Sequence, residues 1–138
     1  MSKAGIGVSV KMENNVKEVL KVEEEKKAKI LYAIGLKWQS ICSKIITQRK
    51  IVDTGRLRGS LTFITAREVG SPINTVTENK SSDFLKGSSG DEDTLIVGSN
   101  VEYARKQEFE NKKGAFLRPS VLDYKQDYKD IAEQIWKE

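Results

Sequence analysis

The 138-residue chain contains no histidine. That absence removes histidine triads, imidazole general bases and histidine metal ligands together, because no other side chain ordinarily changes charge near neutral pH. Cysteine occurs once, as Cys42. A lone thiol excludes an intrachain disulfide and a cysteine-rich zinc site, and it suits a reducing compartment. Cys42 follows Ile41 in an apolar stripe, so a buried, inert thiol is expected there. No apolar run approaches the length of a membrane span, and no apolar leader opens the sequence, so synthesis in a cytoplasm and no membrane contact are expected. A Gly-Lys-Ser/Thr phosphate loop is missing. Gly5 and Gly7 fall inside a strand pattern, so they do not make a dinucleotide fingerprint.

Carboxylates are plentiful, and four stand as acid–base candidates. Asp53 precedes a helical turn and reads as a cap. Glu102 stands three residues after Ser99 and reads as half of a capping box. Glu108 and Glu110 flank Phe109 in a short polar helix, where they are expected to be solvated or at an interface. Asp91-Glu92-Asp93 lacks the ligand spacing of a calcium loop and reads as a solvated loop end. No catalytic residue, metal or cofactor is expected, and the chain is not expected to be an enzyme.

What is present is charge. Charged residues make up 32% and hydrophobic residues 38% of the chain, enough for one soluble domain with its own core. The net charge of +4 is uneven: residues 1–60 carry +7 and residues 61–138 carry −3. Such asymmetry fits nucleic-acid contact, or a basic face of one subunit meeting an acidic face of the next.

Ile6, Val8, Val10 and Met12 alternate with other residues, the period of a half-buried strand over 5–12. Residues 15–48 hold one glycine and no proline and read as a long helix. Its stripe is Ile30, Ile34, Trp38, Ile41 and Ile45, spaced 4, 4, 3 and 4. The polar run Glu23-Glu24-Glu25-Lys26-Lys27 reads as a solvated segment or a face toward a neighbour. A short helical turn is expected to end near Gly59, and a strand over 61–68 with a hairpin arm near Val76. Residues 69–93 read as a long flexible loop. A buried strand at 94–98, a helix at about 101–109 and an amphipathic C-terminal helix follow. The last carries Val121, Tyr124, Tyr128, Ile131 and Ile135, with Pro119 at its first position. The fold expected is α+β: a small, mostly antiparallel sheet with the long N-terminal helix and the C-terminal helix packed on one face, in a single domain.

Lys44, Arg49, Lys50, Arg56 and Arg58 cluster around the end of the long helix. This patch over 44–58 supports an alternative role, non-specific nucleic-acid binding. No aromatic residues interleave it, so base stacking is not implied.

Three segments together carry a resemblance. They are Val52-Asp53-Thr54-Gly55-Arg56-Leu57-Arg58-Gly59-Ser60, then Val97-Gly98-Ser99-Asn100-Val101-Glu102-Tyr103-Ala104 continuing to Gln107-Glu108-Phe109, then Ala115-Phe116-Leu117-Arg118-Pro119-Ser120. In this order, between a long helix and a C-terminal helix, they resemble the siphophage head–tail joining or tail-completion family, the group similar to minor tail protein Z. The family has a proline after Tyr-Ala and a glycine after Glu-Phe. Here Arg105 and Glu110 stand there, which favours a longer helix past Phe109. The resemblance implies a non-enzymatic virion protein, assembled in the host cytoplasm and placed at the head–tail junction. It implies rings of identical subunits around the DNA channel, a hexamer being the candidate size, docked to tail-tube and head-connector proteins. DNA contact would be at most non-specific.

A ring built from head-to-tail contacts needs two different faces on each subunit. Arg56 and Arg58 are candidates to meet a neighbour's Glu108 or Glu110. Tyr103, Phe109 and Phe116 are candidate aromatic anchors, and Arg118 completes the set. The competing expectation places Leu57, Tyr103, Phe109, Phe116 and Leu117 in the core, with Arg118 bonding local carbonyls.

Overall fold

The apolar spacing in the first third of the chain produces the element against which most of the others pack. A computed structural model describes residues 6–11, 24–49, 54–70, 79–110 and 115–138. Helix α1 (Glu24–Gln48) is 25 residues long, or about 37 Å at the usual rise. Of the expected stripe, Ile30, Trp38, Ile41 and Ile45 are buried. A second stripe, Leu31, Gln39, Cys42 and Ile46, is buried beside it. The helix therefore buries a broad face, as an element with neighbours on two sides must. The expected helical residues 15–23 lie outside the described residues, as does Met12 of the first strand.

After α1 come α2 (Thr54–Gly59), β2 (Thr62–Ile64) and β3 (Val69–Gly70). A 3-10 turn (Ser81–Asp83) precedes β4 (Thr94–Ser99), then α3 (Ala104–Phe109), α4 (Leu117–Leu122) and α5 (Lys125–Trp136). Strand β1 (Ile6–Lys11) opens the described chain. The four strands form one sheet in the order β1-β4-β2-β3, with every pairing antiparallel. The protein is α+β, with α1 and the C-terminal helices packed against the sheet.

Phe63 joins sheet to helix. It is fully buried and stacks edge-on against Tyr32, with ring centroids 5.1 Å apart. Glycine lets the ring come this close on both sides. A Cβ at Gly35 of α1 would lie 2.4 Å from Phe63 Cδ2, and one at Gly70 of β3 would lie 2.1 Å from its Cζ. The core continues through Leu95, Val97, Leu57, Leu61, Phe116, Leu117 and Tyr128. Each such side chain contributes about 1.5–3 kcal/mol by leaving water. A smaller cluster, Ile30 with Ile135 and their half-buried neighbours Ile131 and Trp136, fixes α5 along α1. Polar atoms in this core find partners: Trp38 Nε1 donates to Ser120 Oγ at 2.9 Å, and Ser120 Oγ donates to the Leu117 carbonyl at 2.6 Å.

Several expected boundaries move for identifiable reasons. The strand expected over 61–68 stops at Ile64, because Thr65 turns the chain. Its N–H donates to the Glu68 carbonyl, and its hydroxyl accepts from Arg67 and Glu68 N–H. The hairpin arm is Val69–Gly70, opposite Ile64 and Phe63; Val76 lies outside the described residues. The C-terminal helix is two helices broken at Asp123–Tyr124. Pro119 is third in α4 rather than first, still within the turn whose N–H groups have no helical acceptor.

The polar run at the start of α1 is not wholly solvated. Lys27 is buried and pairs with buried Asp93 at 2.9 Å. Asp93 is thus no solvated loop end; the charge opposite offsets the cost of its burial.

Candidate assembly face

The three segments that carry the resemblance are far apart in sequence and meet in space. Segment one supplies α2, segment two the end of β4 and α3, and segment three α4. Two polar centres and a hydroxyl relay join them.

The first centre is Arg56. Its Nε and Nη2 donate to the two Asp83 oxygens at 3.1 and 2.9 Å, and its Nη1 and Nη2 donate to the two Glu102 oxygens at 2.9 and 2.8 Å. The planar guanidinium suits this double fork, which an ammonium would not make. Asp83 is 1% exposed and also accepts from Asn79 Nδ2 and the Lys80 N–H. Burial alone raises its carboxyl pKa, but the bonds from Arg56, Lys80 and Asn79 outweigh that and hold it below its ordinary value. The Arg56 bond likewise holds the Glu102 carboxyl low, and both carboxylates push the guanidinium up. Arg56 also lies over the Tyr103 ring, 5.7 Å from its centroid.

The relay runs between segments one and two. Ser60 Oγ donates to the Leu57 carbonyl at 2.6 Å and lies 2.6 Å from Ser99 Oγ, which accepts the Val101 N–H. With the Ser60 proton committed to Leu57, the Ser99 proton points to Ser60. All three residues are buried.

The second centre is Glu108. Its side chain is fully withdrawn from water. Oε1 accepts the main-chain N–H of Phe116 and Leu117 at 2.9 and 2.7 Å, and Oε2 accepts that of Arg118 at 2.9 Å. Arg118 Nε adds a fourth bond at 3.0 Å. One carboxylate thereby satisfies the donors that the start of α4 leaves open.

These contacts overturn part of the expected interface. Glu108 is neither solvated nor at a surface; it holds α3 to α4. Arg56 is engaged by carboxylates of its own chain. Arg58 donates to Thr47 Oγ1 on α1 at 3.0 Å. Phe116 is fully buried, as are Leu57 and Leu117, so it belongs to the core and not to an anchor set. Tyr103 is half-buried. Glu102 does not complete a capping box with Ser99, because its carboxylate turns to Arg56 and α3 begins only at Ala104.

Of the expected aromatic anchors, Phe109 is the one on the surface, 56% exposed. Arg118 covers its ring at 4.9 Å. Beside it is an open hollow of about 410 Å³ lined by Glu102, Arg105, Lys106, Phe109 and Glu110. Arg105 and Glu110 occupy places where the resembling family has proline and glycine. Helix α3 nonetheless stops at Phe109, with Glu110 flanking it.

The basic cluster over 44–58 is also reduced. Arg56 is neutralised, Arg58 is tied to Thr47, and Arg49 donates to the Ala115 carbonyl at 2.6 Å. Lys44 is exposed, while Lys50 lies outside the described residues, as does Asp53. Among the described residues, no group of three or more Cys, Asp or Glu is placed to hold a metal ion, and no helix is long and apolar enough to cross a membrane.

Asp83 was missed from the sequence. It sits in a stretch of serines, lysines and glycines whose local pattern gives no sign of a buried partner 27 residues earlier. No protein-family profile, curated protein or solved structure matches the chain.

Proposed function

We propose that the protein is a structural component of the head–tail junction of a tailed phage or prophage, completing the tail and joining it to the head by forming or docking onto a ring. One observation supports this reading above the others. The segments that carry the resemblance are bonded to one another through Arg56–Glu102, Ser60–Ser99 and Glu108–Arg118. Residues that recur together in a family for a structural reason should depend on one another in this way.

The framework they make leaves Arg105, Lys106, Phe109, Glu110 and Arg118 at the surface. This edge, rather than Arg56 and Arg58, is the contact face in the proposal. An exposed aromatic ring with charged neighbours has the make-up of an interface anchor. The nucleic-acid alternative is weaker, since two carboxylates of the same chain neutralise Arg56 at the centre of the basic patch.

The test is binding of the purified protein to purified tail tubes of its own phage, read by co-sedimentation and by electron microscopy of the tube ends. Density at one end of each tube is the expected result. Absence of binding, or binding along the whole tube, contradicts the proposal. Phe109→Ala should weaken end binding without altering the circular dichroism of the free protein.

A further inference from the structure

The sheet has two faces, and they are covered differently. Phe63, Leu95 and Val97 face α1. Side chains alternate along a strand, so Thr62 and Ile64 of β2 and Ile96 of β4 face the other way. The register sets Ile96, Ile64 and Val69 directly opposite one another across three strands, and such partners project to the same side. This apolar row is graded: Ile64 is 4% exposed, Ile96 half-buried and Val69 42% exposed.

Residues 79–90 are bonded along this side of β2. The Leu85 N–H donates to Thr62 Oγ1 at 2.9 Å. Further along, the Ser89 N–H donates to the Thr65 carbonyl and Ser88 Oγ to the Ala66 carbonyl. The segment thus runs beside β2 from its start to the turn beyond it. Apart from one 3-10 turn it has no regular structure. Its apolar side chains, Phe84 and Leu85, are only half-buried and belong to neither core cluster. Its firm attachment is at one end, where Asp83 meets Arg56, Asn79 Nδ2 donates to the Arg56 carbonyl, and the Asp83 carbonyl accepts the Asn100 N–H. Segments held by few buried apolar contacts open at lower free energy than the core beneath them.

We infer that residues 79–90 form a strap that opens as a unit while the rest of the fold stays intact, with Arg56 as its clasp, uncovering Ile64, the buried member of the row. The double fork of Arg56 holds the strap's start to α2 and to Glu102 in the turn before α3. The rest of the strap is held by single polar bonds that water can replace. This inference goes beyond the junction reading and does not depend on it.

Hydrogen exchange at a series of low urea concentrations tests it. In the wild-type protein, the amides of Leu85, Ser89 and Asn100 should exchange about 100-fold faster than those of α1, with little urea dependence, as local opening requires. Arg56→Gln should speed those three amides by about a further tenfold while their urea dependence stays small. Equal rates and equal urea slopes for strap and α1 would overturn the inference, as would unchanged rates of the strap amides in the variant. A second measurement retains Arg56. In Ile64→Cys, the introduced thiol should react with a thiol reagent at least about tenfold faster than buried Cys42, which reports opening of the core. Matching rates for the two thiols would sink the idea even if the Arg56 variant fails to fold.

Discussion

Arg118 closes over Glu108: its Nε lies 3.0 Å from the same carboxylate oxygen that takes the Arg118 main-chain N–H. Glu108 is the buried member of the pair and Arg118 the half-exposed one. Removing the first strands three main-chain donors, whereas removing the second leaves them satisfied. Glu108→Ala should cost about 3 kcal/mol in urea unfolding. Glu108→Gln keeps acceptor capacity and should cost less. Arg118→Ala should cost about 1 kcal/mol. Equal losses for Glu108→Ala and Arg118→Ala would show that the main-chain bonds carry no special weight.

Arg56 and Asp83 should behave as a coupled pair. Arg56→Ala leaves a buried carboxylate without its cation and should destabilise by about 3 kcal/mol. Glu102→Ala removes an exposed partner and should cost less than about 1 kcal/mol. In a double-mutant cycle, Arg56→Ala with Asp83→Ala should lose well under the sum of the two single losses. Additive losses would mean that the pair is not a unit.

The depressed carboxyls set the acid limb of stability. Asp83 is held below its ordinary 3.8 and Glu102 below its ordinary 4.5. Both are ionised in folded and unfolded chains above that range, so their contribution is complete there. It is lost as pH falls below about 4.5 and on through the folded values. Stability measured from pH 6 to pH 3 should fall more steeply in the wild type than in Arg56→Ala. At the other extreme, burial pushes the Cys42 thiol up from its ordinary 9.0. Unfolding then releases a proton at high pH, and stability should fall as pH rises above about 9. Cys42→Ala, although less stable at neutral pH, should show a shallower alkaline limb.

Gly35 is required by Phe63 rather than by the helix. Alanine in the interior of a helix normally gains about 1 kcal/mol over glycine. Here the added Cβ would sit 2.4 Å from a buried ring, so Gly35→Ala should instead destabilise by about 1–3 kcal/mol. Phe63→Leu should recover part of that loss in the Gly35→Ala background. A stabilising Gly35→Ala would show that the ring has room to move.

The regular elements were legible because their causes are local. The 3- and 4-residue spacing of Ile30 through Ile45 announced α1, and the β-branched run at 94–98 announced β4. The antiparallel sheet and the helices against it followed from element order. What escaped the sequence was decided by contacts between distant residues. Glu108 resembles any polar helix residue until the N–H groups of 116–118 arrive around it. Asp83 and Asp93 resemble solvated loop charges until Arg56 and Lys27 meet them. The interface set chosen from sequence therefore mixed surface with framework. Phe109 is exposed, Phe116 is core, and Arg56 and Glu108 hold the framework together.

The most direct test of the proposed junction role is inactivation of the gene in the genome that carries it, followed by induction and electron microscopy of the particles released. The account predicts that DNA-filled heads and separate tails accumulate, and that supplying the wild-type protein restores joined particles. Joined, infectious particles formed in the absence of the protein would contradict it.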